Sequence, residues 1–312
     1  MERVKNDELL KNRGLGATLK AAYNMYLARF QFVLKHLWPA ALGYALLAPI
    51  QMLISLPSVQ MGRPSIWLII ASFLLALVIS VVLDSRISQL LNNKSWKWNV
   101  RRMFKMFLLT YALTLLVSLL IGLVWGLSWL MFAPQESSTP VEAQLVLEQV
   151  AAASLKILAV VGIFCVVIGL LMVPFAFSFT KYIVDTTSRL RDMFFRTYRQ
   201  GLRHWGYIFA TLVLSGLLLT IVIFLFCLPL IIVYMALFMD VRGMAGGDPS
   251  GLPGGFTWLV YFVTFATCFV LSYVVVFFAF VCYYMYGTVE TREKERETGN
   301  KLSAIKIVEE GV

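Results

Sequence analysis

The chain has 312 residues, of which 60% are hydrophobic and only 14% are charged, whereas soluble domains are about 25% charged. This composition excludes an ordinary soluble protein and predicts a membrane protein. The formal net charge of +10 would indicate nucleic-acid binding in a soluble chain. In a membrane protein, however, the positions of the charges matter more than their sum.

Six uncharged apolar runs each reach the roughly 20 residues that a helix needs to cross a hydrocarbon core. These runs are solidly apolar instead of alternating, which argues against the strands of a barrel. The fold class is therefore predicted to be all-α, a polytopic membrane protein with six transmembrane helices. The fifth and sixth runs exceed one span, and we expect Pro229 to break the fifth near its outer end. The predicted spans are 37–62, 64–83, 106–133, 157–180, 205–239 and 256–287.

Lysines and arginines are distributed unevenly among the segments that separate these runs. Of the 27, 24 lie before the first run, between the second and third, between the fourth and fifth, or after the sixth. Only Arg63, Lys156 and Arg242 lie elsewhere. The positive-inside rule then predicts cytoplasmic N- and C-termini for a multi-pass protein of the bacterial inner (plasma) membrane. We expect no cleavable signal peptide, because the first 35 residues are polar and basic.

The alternation of polar and apolar segments predicts three parts of the chain. A cytoplasmic amphipathic N-terminal segment covers 1–35, the six-helix transmembrane domain covers 36–287, and a charged cytoplasmic tail covers 288–312. Because the tail mixes charges densely, we expect it to extend the sixth helix into solvent and then to lose order.

Residues 187–206, TSRLRDMFFRTYRQGLRHWG, combine basic and aromatic side chains just before the fifth run. At 100° per residue, Leu190, Met193, Phe194, Tyr198, Leu202 and Trp205 form one arc, opposite Arg189, Asp192, Arg196, Arg199 and Arg203. This pattern predicts one basic amphipathic helix at the level of the lipid headgroups. We expect Asp185 and Asp192 to pair with the arginines four residues later. Nucleic-acid binding is excluded, because the aromatic face would lie in the membrane.

A similar arrangement precedes the first run, where Leu19, Tyr23, Tyr26, Phe30, Val33 and Leu37 form an apolar stripe. A basic residue, a histidine and a tryptophan then lead into the apolar run, as they do before the fifth run. Before the third run, the segment KSWKWNVRRMFKMFLLTYALTLL likewise combines basic residues and tryptophans. We therefore expect three helical hairpins, each preceded by a cytoplasmic amphipathic segment. The candidate contacts to a lipid headgroup or a partner are Arg189, Arg196, Arg199, Arg203, His204, Trp205, Lys35, His36 and Trp38.

Two interpretations of these basic residues stay open. The arginines either only enforce topology and solvate a loop, or they bind anionic headgroups or a partner protein. The expected partners are membrane lipids, anionic ones included, and a membrane protein, which is either a different one or a second copy of this chain.

From residue 172 to about 220 the chain follows the order of a known membrane domain. In MVPFAFSFTKYIVDTTSRLRDMFFRTYRQGLRHWGYIFATLVL a proline in the fourth helix, Pro174, is followed by Asp185 at the end of that helix and then by a basic segment that leads into the fifth. This order resembles the six-helix membrane-domain family of glycerophosphoryl diester phosphodiesterases and related uncharacterised bacterial inner-membrane proteins. The resemblance implies a fold more than an activity, because the phosphodiesterase's glutamate, histidine and metal-binding residues are absent from these 312 residues.

The titratable residues do not form a pattern that is typical of a catalytic or metal site. The two histidines stand in no HxxxD, DxxD or HExxH spacing with an acid. The four cysteines lie inside apolar runs without the spacing of metal ligands. We therefore expect neither an enzyme nor a bound cofactor.

The sequence predicts a non-enzymatic integral inner-membrane protein that contacts lipids or organises a partner through its basic segments. The alternative is a permease or exporter of an apolar or lipid-like substrate. The six runs contain no Asp, Glu, Lys, Arg or His, whereas coupled transporters usually carry ionisable groups in the membrane. Their polar residues, among them Gln51, Thr110 and Thr114, can equally join neighbouring helices.

Overall fold

A computed structural model describes residues 9–54, 66–92, 94–132, 143–247, 251–253 and 255–310. In this part of the chain the regular structure is entirely helical, without a strand. A short 3-10 helix covers Leu190–Met193. The helices are α1 (Leu15–Ala28), α2 (Phe30–Ile54), α3 (Ile66–Asn92), α4 (Trp96–Phe132), α5 (Ala143–Val184), α6 (Arg196–Arg203), α7 (Trp205–Ala245) and α8 (Phe256–Glu310).

Six of these helices, α2, α3, α4, α5, α7 and α8, are long and apolar enough to cross a membrane. The prediction of an all-α fold with six candidate spans is therefore confirmed for the described residues. Together the six spans indicate a multi-pass membrane protein.

The helices extend beyond the apolar runs that predicted them. Helix α3 continues through Asp84 and Arg86 to Asn92, and α4 begins at Trp96, before the basic residues that precede its apolar run. Lys, Arg and Glu are good helix formers, so a charge ends an apolar run without ending the helix. Helix α8 has 55 residues, and at 1.5 Å per residue it is about 82 Å long.

Prolines do not interrupt the spanning helices. Helix α7 is continuous through Pro229, so the predicted break at this residue is wrong. Pro39 and Pro49 likewise lie inside the continuous helix α2, whereas Pro57 lies outside the described residues. Membrane helices tolerate proline because neighbouring groups and small local adjustments satisfy the freed carbonyls.

Helix α8 is the centre of the packing. It contacts α1, α2, α3, α5 and α7, and the consecutive spans also contact each other in the pairs α2 with α3, α4 with α5, and α7 with α8. The bundle is therefore organised around one central helix. Its core is formed by Val276, Phe280, Val281, Met285 and Val289 of α8 together with Ala22, Val33, Leu37 and Ile208 of the helices around it.

The N-terminal helix α1 packs on α7 and α8. It buries Thr18, Ala22 and Met25, and the hydroxyls of Thr18 and Tyr207 lie 2.7 Å apart. Of the predicted stripe, Val33 and Leu37 are fully buried, Leu19 and Tyr26 pack partly buried against the core, and Tyr23 and Phe30 are exposed.

The first residues of the predicted tail belong to the core. Thr288 and Val289 are fully buried, and Glu293 is 7% exposed. The side chains of Lys294 to Asn300 are exposed, and the helix continues to Glu310. The helical extension of the sixth span was thus predicted, but its burial next to the membrane domain was not.

Candidate functional site

The segment from 187 to 206 is not the single amphipathic helix that its periodicity predicts. It consists of the 3-10 helix Leu190–Met193 and the short helix α6, and His204 separates α6 from α7. The predicted ion pairs with Arg189 and Arg196 are consequently absent from the described contacts. Instead, Asp185 Oδ1 accepts hydrogen bonds from the backbone N–H and the hydroxyl of Thr187, at 2.9 and 2.7 Å.

Pro174 explains why the aromatic residues of this segment face the protein. Proline lacks an N–H group, so the carbonyl of Leu170 has no donor within α5. The indole Nε1 of Trp205 donates to that carbonyl at 3.0 Å. The hydroxyl of Tyr198 donates to the carbonyl of Leu171 at 2.9 Å. Two members of the predicted apolar arc therefore satisfy backbone groups around the proline.

A glycine allows α6 to approach the proline closely. Thr197 and Gly201 are the buried residues of α6. A Cβ atom at Gly201 would lie only 3.0 Å from both Cβ and the carbonyl oxygen of Pro174. The order of proline, aspartate and basic helix in the sequence thus corresponds to a packed contact between α5 and α6.

Two of the predicted contact residues are engaged inside the protein. Arg203 Nη1 donates to Glu293 Oε1, and His204 Nε2 lies 3.2 Å from the other oxygen of this carboxylate. Because Glu293 is 7% exposed, this cluster holds the start of α7 against α8. Arg196 and Arg199, by contrast, are exposed.

Three further predicted contact residues, the triplet Lys35, His36 and Trp38, lie within α2. Lys35 and Trp38 are exposed, and the ring of His36 stacks on Phe32 with the centroids 5.6 Å apart. No hydrogen bond, ion pair or ring contact between the described residues joins this triplet to α6. The structure therefore does not bring the two predicted groups into one site.

Arg102 is a central residue that sequence reasoning treated only as one of several loop charges. Its guanidinium donates to the carbonyls of Thr186 at 3.1 Å, Asp185 at 2.9 Å and Ser188 at 2.9 Å, and to the hydroxyl of Ser188 at 2.9 Å. It also lies between two rings, 4.7 Å from the centroid of Trp98 and 4.0 Å from that of Tyr182. A single side chain of α4 thereby holds the segment that follows α5.

A pair of asparagines supports the same junction. The side chain of Asn92 donates to Asn99 Oδ1 at 2.7 Å and to the carbonyl of Ile183 at 3.1 Å. Asn99 is fully buried. The turn between α3 and α4 is thus fixed to the end of α5, directly beside Arg102.

A cleft of about 390 Å³ opens next to Arg102, and we call it the basic cleft. Within the described part of the chain, four of its lining side chains are basic and none is acidic. Arg102 is 8% exposed and has no ion pair with a described residue, and its Nε has no hydrogen-bond partner there. The cleft therefore has the chemistry of an anion site. It is lined by Trp98, Arg101, Arg102, Lys105, Tyr182, Thr186, Ser188, Arg189 and Leu190.

A second polar cavity, of about 360 Å³, lies on the other side of the 185–200 segment. Its lining combines both signs of charge, and Lys181 Nζ pairs with Glu290 at 2.9 Å. Lys181 also donates to Gln200 Oε1 at 3.2 Å. Because acids and bases here face one another, this cavity offers less net charge to a ligand than the basic cleft does.

A third cavity, of about 290 Å³, is apolar and lies between α1, α7 and α8. Tyr23 and Tyr26 of α1, Leu218, Leu219 and Val222 of α7, and Val274 and Phe277 of α8 line it. The hydroxyl of Tyr26 is 3.4 Å from the carbonyl of Tyr273. The lining suits an apolar group such as part of an acyl chain.

The described residues contain no group of three or more His, Cys, Asp or Glu side chains that could hold a metal ion. The four cysteines are unpaired thiols in spanning helices. The chain matches no family model, no curated protein and no solved structure, so the family resemblance of residues 172–220 stays a prediction.

Proposed function

We propose that this chain is a non-enzymatic integral membrane protein that binds the headgroups of anionic lipids at its basic end. The basic end is the end of the bundle where the α3–α4 turn, residues 185–204 and the Glu290–Glu293 part of α8 meet. One observation carries the proposal: the basic cleft gathers three exposed basic side chains around the buried guanidinium of Arg102, which has no ion pair with a described residue.

The surroundings of the basic cleft favour a lipid over a soluble anion. Lys105 lines the cleft, and one turn further along α4 Leu108 begins a row of exposed apolar side chains. Leu115 and Leu119 are 63% and 64% exposed on the same helix. A lipid can therefore place its headgroup in the cleft while its chains run along α4.

The proposal is tested by counting the lipids that stay bound to the purified protein in discs of mixed anionic and neutral lipid. The triple variant Arg101→Gln, Lys105→Gln, Arg189→Gln removes three bases of the cleft. Because each base near an anionic surface contributes ~1 kcal/mol, we expect its affinity for anionic lipid to fall by up to about 100-fold. Native mass spectrometry of the protein–lipid complexes measures this loss.

A matched control removes the same charge elsewhere. Arg196→Gln, Arg199→Gln, Lys20→Gln changes three exposed side chains that do not line the cleft, and it should keep the bound lipid. Equal retention in both variants, or equal loss in both, would contradict a specific site in the cleft.

We further propose that the basic end faces the cytoplasm, because 24 of the 27 lysines and arginines lie before the first span, between the second and third, between the fourth and fifth, or after the sixth. Alkaline phosphatase, which is active only outside the cytoplasm of bacteria, should be inactive when fused near residue 95 or 195 and active when fused near 140 or 248. Activity of the fusion near 195 would reverse the orientation.

The apolar cavity favours a second candidate, a permease or exporter of an apolar or lipid-like substrate. It provides space for an apolar group beside α1, and no ionisable acid or base lines it among the described residues. The test measures translocation of a fluorescent lipid analogue in proteoliposomes. Loss of translocation in the variant Val222→Trp, whose larger side chain fills the cavity, would support this function. Unchanged translocation relative to protein-free vesicles would exclude it for that analogue.

A further inference from the structure

We propose that the basic cleft selects a lipid whose headgroup is a phosphate monoester over one whose headgroup is a phosphate diester. The inference rests on the proposed binding of anionic lipids and names the chemical class of the headgroup. It follows from the number of positive charges in the cleft and from the three exposed bases that can donate to a headgroup.

The first step concerns charge. Arg101, Arg102, Lys105 and Arg189 bring four positive charges to the cleft, while the nearby carboxylate of Asp185 accepts its hydrogen bonds from Thr187. A diester headgroup supplies one negative charge. A monoester carries about −1.5 to −2 at neutral pH. The monoester therefore offsets more of the charge that the cleft concentrates beside the membrane domain.

The second step concerns hydrogen-bond geometry. The two terminal nitrogens of Arg102 are held by the 185–188 backbone, and its plane lies between the rings of Trp98 and Tyr182. Its Nε is buried as well, so Arg102 contributes a fixed positive charge beside the cleft. Arg101, Lys105 and Arg189 also line the cleft. Because they are exposed, their side chains are free to change conformation.

The third step compares the acceptors. A phosphate monoester has three terminal oxygens, all of them strong acceptors, whereas a diester has two. Three exposed bases, next to the fixed positive charge of Arg102, can engage all three oxygens of the monoester. A diester leaves part of this donor set unused and also places a second substituent against the lining.

The experiment uses the full chain in discs that contain neutral lipid with either phosphatidic acid, a monoester, or phosphatidylglycerol, a diester, at matched surface charge. Native mass spectrometry gives the number of each lipid that remains bound. We expect about fivefold preferential retention of phosphatidic acid, the effect of one further charge worth ~1 kcal/mol. The variant Arg101→Gln, Lys105→Gln should lose this preference, and the control Arg196→Gln, Arg199→Gln should keep it.

A structural readout accompanies the mass measurement. Phosphatidic acid should slow hydrogen exchange in residues 185–190 of the wild type, because the anion binds Arg189, which lines the cleft and belongs to this segment. Excess glycerol phosphate, a soluble monoester, should compete only weakly, since it lacks the chains that lie along α4. Full displacement by glycerol phosphate would assign the cleft to a soluble ligand and overturn the choice of a lipid.

The remaining outcomes separate this inference from the proposed function. Equal retention of the two lipids in the wild type, with loss of both in the cleft variant, would contradict selection of the monoester but leave binding of anionic lipid in place. Retention that no cleft substitution changes would overturn both.

Discussion

Replacing Arg102 with methionine should lower the free energy of unfolding by about 1–3 kcal/mol, the cost typical of leaving a buried polar group without its hydrogen-bond partner. Methionine keeps much of the length of the side chain and its contact with Trp98 and Tyr182. It leaves the carbonyls of Asp185, Thr186 and Ser188 without their donor, and buried carbonyls that lose a partner carry a penalty of their own.

The measurement is unfolding of the purified protein in mixed micelles, followed by tryptophan fluorescence. Arg101→Met is the matched control, because Arg101 is adjacent and exposed, and a substitution there should cost less than about 0.5 kcal/mol. Hydrogen exchange should accelerate at residues 185–190 in the Arg102 variant only. Equal stability of the two variants would show that Arg102 does not hold this segment.

The six spans could be predicted from the sequence because membrane insertion depends on the length and hydropathy of each run. The ends of the helices could not, since charged residues such as those after Asp84 in α3 continue a helix as readily as apolar ones do. The central position of α8 was also unpredictable. It depends on which faces of the helices fit together, and apolar residues surround a spanning helix on all sides.

The prediction of one amphipathic helix over 187–206 is wrong because of groups in another helix, α5. Periodicity assigned Tyr198 and Trp205 to a face that lies in the membrane, but their polar atoms bind the carbonyls around Pro174. The close approach at Gly201 then places the small side of α6 against α5. Local amphipathicity could not show this, because the unsatisfied carbonyls belong to a different segment of the chain.

The basic cleft was only partly visible in the sequence. Arg189 was among the candidate contacts, but Arg102 was not, because its carbonyl partners are 83 to 86 residues away. One local signal was available: Trp98 and Arg102 are four residues apart, the spacing at which side chains meet on a helix. The absence of an acid from the described lining of the cleft, which makes it an anion site, follows only from the fold.

The substitution Glu293→Gln should lower the free energy of unfolding by about 2 kcal/mol, less than a fully buried ion pair would cost, because the side chain of Arg203 is 38% exposed. Glutamine keeps the size of the side chain but removes the charge that Arg203 and His204 share. We expect the start of α7 to separate more easily from α8. Faster hydrogen exchange at residues 203–208 measures this effect.

Two comparisons identify the ion cluster as the cause. Glu297→Gln, one turn later on an exposed face of α8, should change stability by less than about 0.5 kcal/mol. Combining Glu293→Gln with Arg203→Gln should cost less than the sum of the single substitutions, because each alone breaks the same contact. Additive losses would mean that Glu293 and Arg203 act independently and not through a shared ion pair.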